Sequence, residues 1–435
     1  MPDRGRWCAA GAGSRAAETW TLAVVTALAL GACGGAGGAS SSHTVEVIDG
    51  VETVTNAGAG AWSDEPGSVW IVSGPRVRLG ALEGGPEVFG SIGAVAIGPG
   101  GTIYVGDATA QEVRAFDASG GFLRSFGRKG EGPGEFGAID GIAVESDGSV
   151  LVRDPRIGRA SRFDDAGAFE SSFRLERSFF VFSDGTSWWV DGEDRAYDQV
   201  PLSSELGGPE GLGLVWYRNG AFGDTLRALE FSTPTVMVTR GGRTVLGMLP
   251  PFIPPARAAV RADGIVAATL GREYRITERT AEGQLRRVIL RDSSPPVLPE
   301  GAREDGLRSM RQRVEEMAPG ATLGDVEFPP RYPAYVRLVA DPEGFWWAGR
   351  YRGERDEDDP TAHLPTEYDV YDRDGIYQGV VETPPILIMQ IGGDFVAGID
   401  TDPIGIQHAV VHALDRRGGV AGGLSLRGRA SGGPA

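Results

Sequence analysis

Residues 93–126 read GAVAIGPGGTIYVGDATAQEVRAFDASGGFLRSF, and residues 140–173 read DGIAVESDGSVLVRDPRIGRASRFDDAGAFESSF. Offset by 47 residues, the two stretches align without a gap. Gly101 falls on Gly148, Val105 on Val152, Asp107 on Asp154, Phe116-Asp117 on Phe163-Asp164, Gly120 on Gly167 and Phe126 on Phe173. Self-similarity at a fixed spacing of this size marks a repeat architecture. Within each unit, short apolar runs alternate with turn residues. Residues 103–105, 113–116 and 122–126 read as three strands, and an apolar run before the first turn, such as 142–144, supplies a fourth. Asp and Gly suit the turns between them, because one caps a turn with its side chain and the other tolerates positive φ.

The first turn recurs down the chain at Gly101, Gly148, Gly185, Gly264, Gly344 and Gly393, giving six copies. The later turn recurs at Asp372 to Gly375, and in weaker form at 280–283 and 414–418. Units of about 40 residues with four short strands each predict an all-β fold, a six-bladed β-propeller of four-stranded antiparallel blades over residues 44–417. The 67 glycines among 435 residues, roughly double the usual share, follow no collagen period and fit a chain of hairpins. Residues 235–246 read as two more strands around Gly241-Gly242, either a seventh blade or an elaboration of the third, and the six-copy count favours six. Of two strand-like runs before the first unit, 45–54 and 69–82, one is expected to pair with the strands of 386–413 and close the ring. One segment breaks the pattern. In residues 302–318, Leu307, Met310, Val314 and Met317 recur at helical spacing between Pro299 and Pro319-Gly320. This helical insertion is expected to cover the rim or to form a lid over one face.

Residues 126–136, FGRKGEGPGEF, followed by Gly141-Ile142-Ala143-Val144, Asp147-Gly148 and Val152-x-Asp154, resemble the NHL-repeat pattern. More widely, the chain resembles six-bladed, TolB-like propeller lipoproteins of bacteria. The likeness is strong over residues 90–175 and diffuse from there to 417. An arginine usual five residues after the strand-ending aspartate is present as Arg159 in the second unit but replaced by Glu112 in the first.

The N-terminus reads as an export signal. Arg4, Arg6 and Arg15 precede an apolar stretch, residues 20–30, that is too short to span a bilayer. It ends in Leu30-Gly31-Ala32-Cys33, which resembles the bacterial lipobox. The expectation is a signal peptide over residues 1–32, lipidation at Cys33, a flexible Gly/Ser linker over 33–43 and a disordered tail over 418–435. Residue 34 is Gly rather than Asp, so by resemblance the protein is sorted to the outer membrane, facing the periplasm or the exterior. The two cysteines, Cys8 and Cys33, leave the expected mature domain without a disulfide.

Net charge is −17, which argues against a nucleic-acid partner because phosphate binding needs a basic face. Catalytic signals are sparse. Of four histidines, His408 and His412 lie at an even spacing that puts both on one face of a strand, a zinc half-site at most, while His43 and His363 stand apart. Asp356-Glu357-Asp358-Asp359 offers oxygen ligands for calcium, but without the spacing of a calcium loop. Asp107 and Asp154 occupy matching strand ends and read as turn acceptors. Trp188-Trp189 and Trp346-Trp347 match between units, with one ring of each pair expected to pack between blades. No G-x-S-x-G is present, and Gly130 to Gly134 lacks a strand-to-helix setting. No residue is assigned a catalytic, cofactor or metal role. The reading is a lipid-anchored scaffold of the cell envelope that binds a protein, peptide or glycan, with no cofactor. The alternative is a metal-dependent hydrolase or lyase, lactonase-like or amidating-lyase-like, using calcium or zinc in the propeller channel.

Overall fold

The computed structural model describes residues 42–64, 67–176, 187–202, 210–231, 234–254, 256–353 and 359–416. The two repeat units fold as expected, each into four antiparallel strands hydrogen-bonded in chain order. Blade 1 comprises Ile92–Ile97, Ile103–Asp107, Glu112–Phe116 and Phe122–Phe126; blade 2 comprises Gly141–Val144, Val150–Asp154, Arg159–Phe163 and Phe169–Arg174. In both, the second strand is buried along its whole length, the third mixes buried and half-buried residues, and the fourth is largely exposed. A gradient of this kind arises when inner strands are sandwiched between neighbouring sheets and outer strands meet water.

Blades 3, 4 and 5 span residues 188–231, 257–291 and 335–382, and blade 6 begins with Leu387–Ile391, Phe395–Thr401 and Gln407–Asp415. The inner strands neighbour one another in the order of the blades, and that of blade 6 returns to that of blade 1. Six apolar clusters fill the six seams, one between each adjacent pair of blades. The fold is therefore a six-bladed β-propeller.

The ring closes through the second of the two N-terminal runs. Ile71–Leu79 pairs antiparallel with Gln407–Asp415 as the fourth strand of blade 6. The first run forms a hairpin, Ser42–Ile48 with Val51–Ala57, whose second strand joins the outer strand of blade 4 in parallel. Asn56 fastens this hairpin to the next blade. Its side chain donates to the Gly375 carbonyl at 2.9 Å and accepts the Tyr377 N–H at 2.8 Å.

The turn between first and second strands has one construction in blades 1 to 5. The N–H of its first residue donates to the carbonyl four residues on, and the N–H of its fourth donates back to the first; the first residues are Gly98, Glu145, Asp191, Arg261 and Asp341. The fourth has positive φ and is Gly101, Gly148, Gly264 or Gly344, except in blade 3, where it is Asp194 at +56°. This corrects the sequence reading. The third copy, placed at Gly185, leads instead into the first strand of blade 3, Trp188–Val190. The aspartate in the glycine position hid the true turn; Gly185 itself lies outside the described residues. Likewise Leu414 and Asp415, read as the start of a turn, still belong to a strand.

Residues 236–248 are neither a seventh blade nor an added edge of blade 3. Val236–Arg240 and Arg243–Met248 form a hairpin around Gly241-Gly242, both at positive φ, and Thr322–Leu323 completes a separate three-stranded sheet. The helix runs Glu300–Met317. Its buried residues are Gly306, Met310 and Val314, while Met317, expected on the same face, is exposed. The absence of a side chain at Gly306 lets the helix approach the rings of Phe252 and Phe328.

Closure by the N-terminal strand has a direct energetic consequence. Leu79 is 3% exposed in the seam between blades 6 and 1, whereas Val47 on the outer hairpin is 70% exposed. Leu79→Ala should lower the unfolding free energy in urea by about 2–5 kcal/mol, and Val47→Ala should change it by no more than about 0.5 kcal/mol.

Candidate functional site

Four-stranded blades arranged in this way put two kinds of connection at opposite ends of the ring. The turns between first and second strands, and between third and fourth, form one end. The connections between second and third strands, and from blade to blade, form the other. The turn end is built of short loops; the loop end carries the helix, the three-stranded sheet and residues 351–353 and 359–366.

Most residues singled out in the sequence prove to build the scaffold. Asp107 accepts the N–H groups of Thr109 and Ala110 at 2.9 Å and the Arg114 guanidinium at 3.1 Å. Asp154 does the equivalent for Arg156 and Ile157, and also takes the Gly137 N–H at 2.6 Å. Arg159 donates to the carbonyls of Glu131, Gly132 and Glu135, clamping the glycine-rich connection to blade 2. Trp188 is buried against blade 2 beside Gly141, with Trp189 half-buried. In the second pair both rings are fully buried. Trp346 donates to Glu278 of blade 4 at 2.6 Å, and Trp347 to Asp341 at 3.2 Å.

The histidines do not converge. His43 lies on the exposed outer hairpin and His363 is exposed at the loop end. His412 Nδ1 contacts the Ser73 carbonyl at 2.8 Å, while His408 Nε2 lies 3.4 Å from Asp402 and its ring covers Gly80. Among the described residues, no three His, Cys, Asp or Glu side chains come together as a metal-ligand set. Cys33 and residues 356–358 of the acidic run lie outside the described residues. Asp359 caps its own turn through the N–H and hydroxyl of Thr361. It borders a cleft of about 310 Å³ between blades 5 and 6 that also contains Asp402 and the Arg78–Asp400 ion pair.

Sequence reasoning missed the buried charges that bridge the seams. Arg153 of blade 2 binds Asp198 of blade 3 at 2.7 Å, and burial pushes the Asp198 carboxyl up to about 6 although the guanidinium opposes it. Asp369 of blade 5 accepts from Tyr335 at 2.6 Å, from Arg350, and from Arg291 of blade 4 at 3.2 Å. Arg416 reaches back to Asp341 at 2.9 Å. A lone Arg or Asp within a strand carries no mark in the sequence that its partner is one blade away.

One polar group does no such structural work. Glu145 holds the first turn position of blade 2, where Asp191 and Asp341 fold back to cap the N–H groups of their own turns. In blade 2 that task passes to Asp147, which accepts the Ser149 N–H. The Glu145 carboxylate instead enters a cavity of about 120 Å³ at the turn end, between blades 2 and 3. It is 4% exposed, and Oε2 lies 3.0 Å from Arg162 without hydrogen-bond geometry to any group. Burial pushes its carboxyl up to about 7; Arg162 opposes the shift, and Asp147, Asp194 and Glu170 reinforce it.

Residues 87–186 match the DUF5128 family, described as a 6-bladed beta-propeller. A comparison with curated proteins finds no match. Among solved structures, a member of the DUF4221 family from Bacteroides vulgatus is 10% identical, with 80% of this chain and 99% of that one covered and a TM-score of 0.45. A gluconolactonase from Xanthomonas campestris is 12% identical, with 74% and 85% covered and a TM-score of 0.36. Virginiamycin B lyase from Staphylococcus aureus is 11% identical, with 79% and 99% covered and a TM-score of 0.37.

The raised carboxyl of Glu145 links stability to pH with a definite sign. Its ordinary value is 4.5 and its folded value about 7, so between these the folded chain binds the extra proton. Stability from this group is therefore greatest at the acid side and falls as pH rises through that window. Between pH 5 and pH 8, the wild-type melting temperature should fall relative to that of Glu145→Gln. Parallel profiles would show that the carboxyl titrates normally.

Proposed function

We propose that this protein is a non-enzymatic propeller of the bacterial cell envelope, lipid-anchored through Cys33, which binds a polypeptide partner at its loop end. The observation behind the binding role is the insertion itself. It carries exposed Met237, Val245, Leu249, Val297 and Met317, and its sheet ends in Arg243–Met248, a strand whose outer edge is unpaired among the described residues. Met237 and the segment around Val245 and Gly247 share the exposed face, while Val236, Val238 and Leu246 turn inward. Exposed apolar side chains beside a free strand edge suit an extended polypeptide, which adds main-chain hydrogen bonds to side-chain contacts. Glycan recognition by stacking would call for exposed aromatic rings instead, and the exposed apolar residues of the insertion are aliphatic or methionine.

The test is affinity recovery from envelope extracts with wild-type chain, with Met237→Asp/Val245→Asp, and with Leu123→Asp on the exposed outer strand of blade 1 as control. A partner held by wild type and by the control, and reduced at least tenfold by the double variant, is the expected result. Equal recovery by all three would refute the loop-end assignment. Lactone hydrolysis that requires added calcium or zinc would refute the non-enzymatic one.

The anchor is checked separately. Cells fed radiolabelled fatty acid should label the wild-type protein and place it in the membrane fraction. Cys33→Ala should abolish the label and release the protein; a labelled Cys33→Ala chain would place the lipid elsewhere.

A further inference from the structure

The turn-end cavity is distinct from the proposed partner surface. Its charge is unbalanced. Among the described residues Arg162 is the one cation in contact with Glu145, yet it is divided among Glu145 at 3.0 Å, Asp147 at 2.6 Å and Glu170 at 2.9 Å. Asp194, on the blade 3 side, is held by the N–H and hydroxyl of Ser146 at 2.8 and 2.6 Å, neither of which brings charge. Three carboxylates thus share one guanidinium, and a fourth, Asp194, faces the same cavity. The remaining walls mix apolar surface, from Leu151, Phe173, Ala196 and the ring of Tyr217, with polar Ser171 and Asn219. The volume corresponds to the liquid share of about four waters.

We propose that this cavity is a binding site for a primary ammonium group on a short aliphatic stem, with Glu145 as its counter-ion. The ammonium supplies what the site is short of, a second positive charge and a hydrogen-bond donor for Glu145 Oε2, which has Arg162 beside it at 3.0 Å but outside hydrogen-bond geometry. The stem lies against the apolar part of the wall, Leu151, Phe173 and Ala196. A divalent metal ion fits less well, because Asp194 already commits both oxygens to Ser146 and no three ligands converge among the described residues. A free small amine and the end of a protein lysine share this chemistry.

The experiment is calorimetric titration of the full chain at pH 8 with n-butylammonium, with n-butanol as the neutral match in shape, and with the blocked peptide acetyl-Gly-Lys-Gly-amide. Butylammonium should bind, butanol should not, and Glu145→Gln should weaken butylammonium at least tenfold. Ser171→Tyr, at an exposed lining position, leaves Glu145 in place and should block entry. Binding should also weaken from pH 8 to pH 5 as Glu145 takes up its proton, with Arg162, Asp147, Asp194 and Glu170 the charged groups that face it. If the peptide binds as well as butylammonium, the source is a protein lysine; if only butylammonium binds, it is a free amine. No butylammonium binding at millimolar concentration, equal binding by Glu145→Gln, or equal binding of butanol overturns the proposal.

Discussion

A β-sheet ends in unpaired N–H and C=O groups, and in this protein the constraint falls most heavily on the join between the first blade and the last. Ile71–Leu79 meets it by supplying the fourth strand of blade 6, paired from Leu79 opposite Ala409 to Ile71 opposite Asp415 with register shifts on either side of His412. Everything else depends on that pairing. It brings blade 6 against blade 1, completes the sixth apolar seam and fixes the inner strands around a common axis. No disulfide is available to do the same, since neither Cys8 nor Cys33 lies in the propeller.

Closure also explains where polar chemistry is found. The seams are filled with apolar side chains, and the charges buried there are paired across from one blade to the next, as with Arg153 and Asp198. A charge removed from water needs such a partner. These groups are spent on the scaffold. What remains free gathers at the two ends of the ring. The loop end can accept insertions without disturbing the seams, and it has taken a helix and a small sheet. The turn end is constrained by its repeated hydrogen-bond pattern, so an unusual residue within that pattern stands out. Glu145 and Asp194 keep the pattern but are unusual residues at their positions in the turns of blades 2 and 3, and both line one cavity.

The architecture was legible because repetition multiplies a weak signal. Any one Asp-Gly turn says little, but residues 93–126 and 140–173 aligned without gaps define the blade, and the recurrence of its turn gives the blade count. Legibility failed where the structure substitutes an unusual residue for the marker. Asp194 in place of glycine shifted the reading of blade 3 by one strand. The helix was found, but its buried stripe turned out to run through Gly306 rather than Met317, because a glycine that permits close packing is invisible to a count of apolar residues. The candidate sites were less legible still. The matched aspartates and tryptophans drew notice because they recur, and recurrence marks structure. Glu145 drew none, because its significance is that it differs from the aspartates at equivalent turns. That difference appears only once the turns are superimposed by their hydrogen bonds.

Native-state hydrogen exchange tests ring closure most directly, because it reports whether the terminal strands share one cooperative unit. The account requires the amides paired between 71–79 and 407–415 to exchange together and slowly, with protection like that of blade 1. The edge strand Ser42–Ile48, which no seam depends on, should exchange much faster. If the amides of 71–79 exchanged as fast as those of 42–48 while blade 1 stayed protected, the ring would not be closed by this strand.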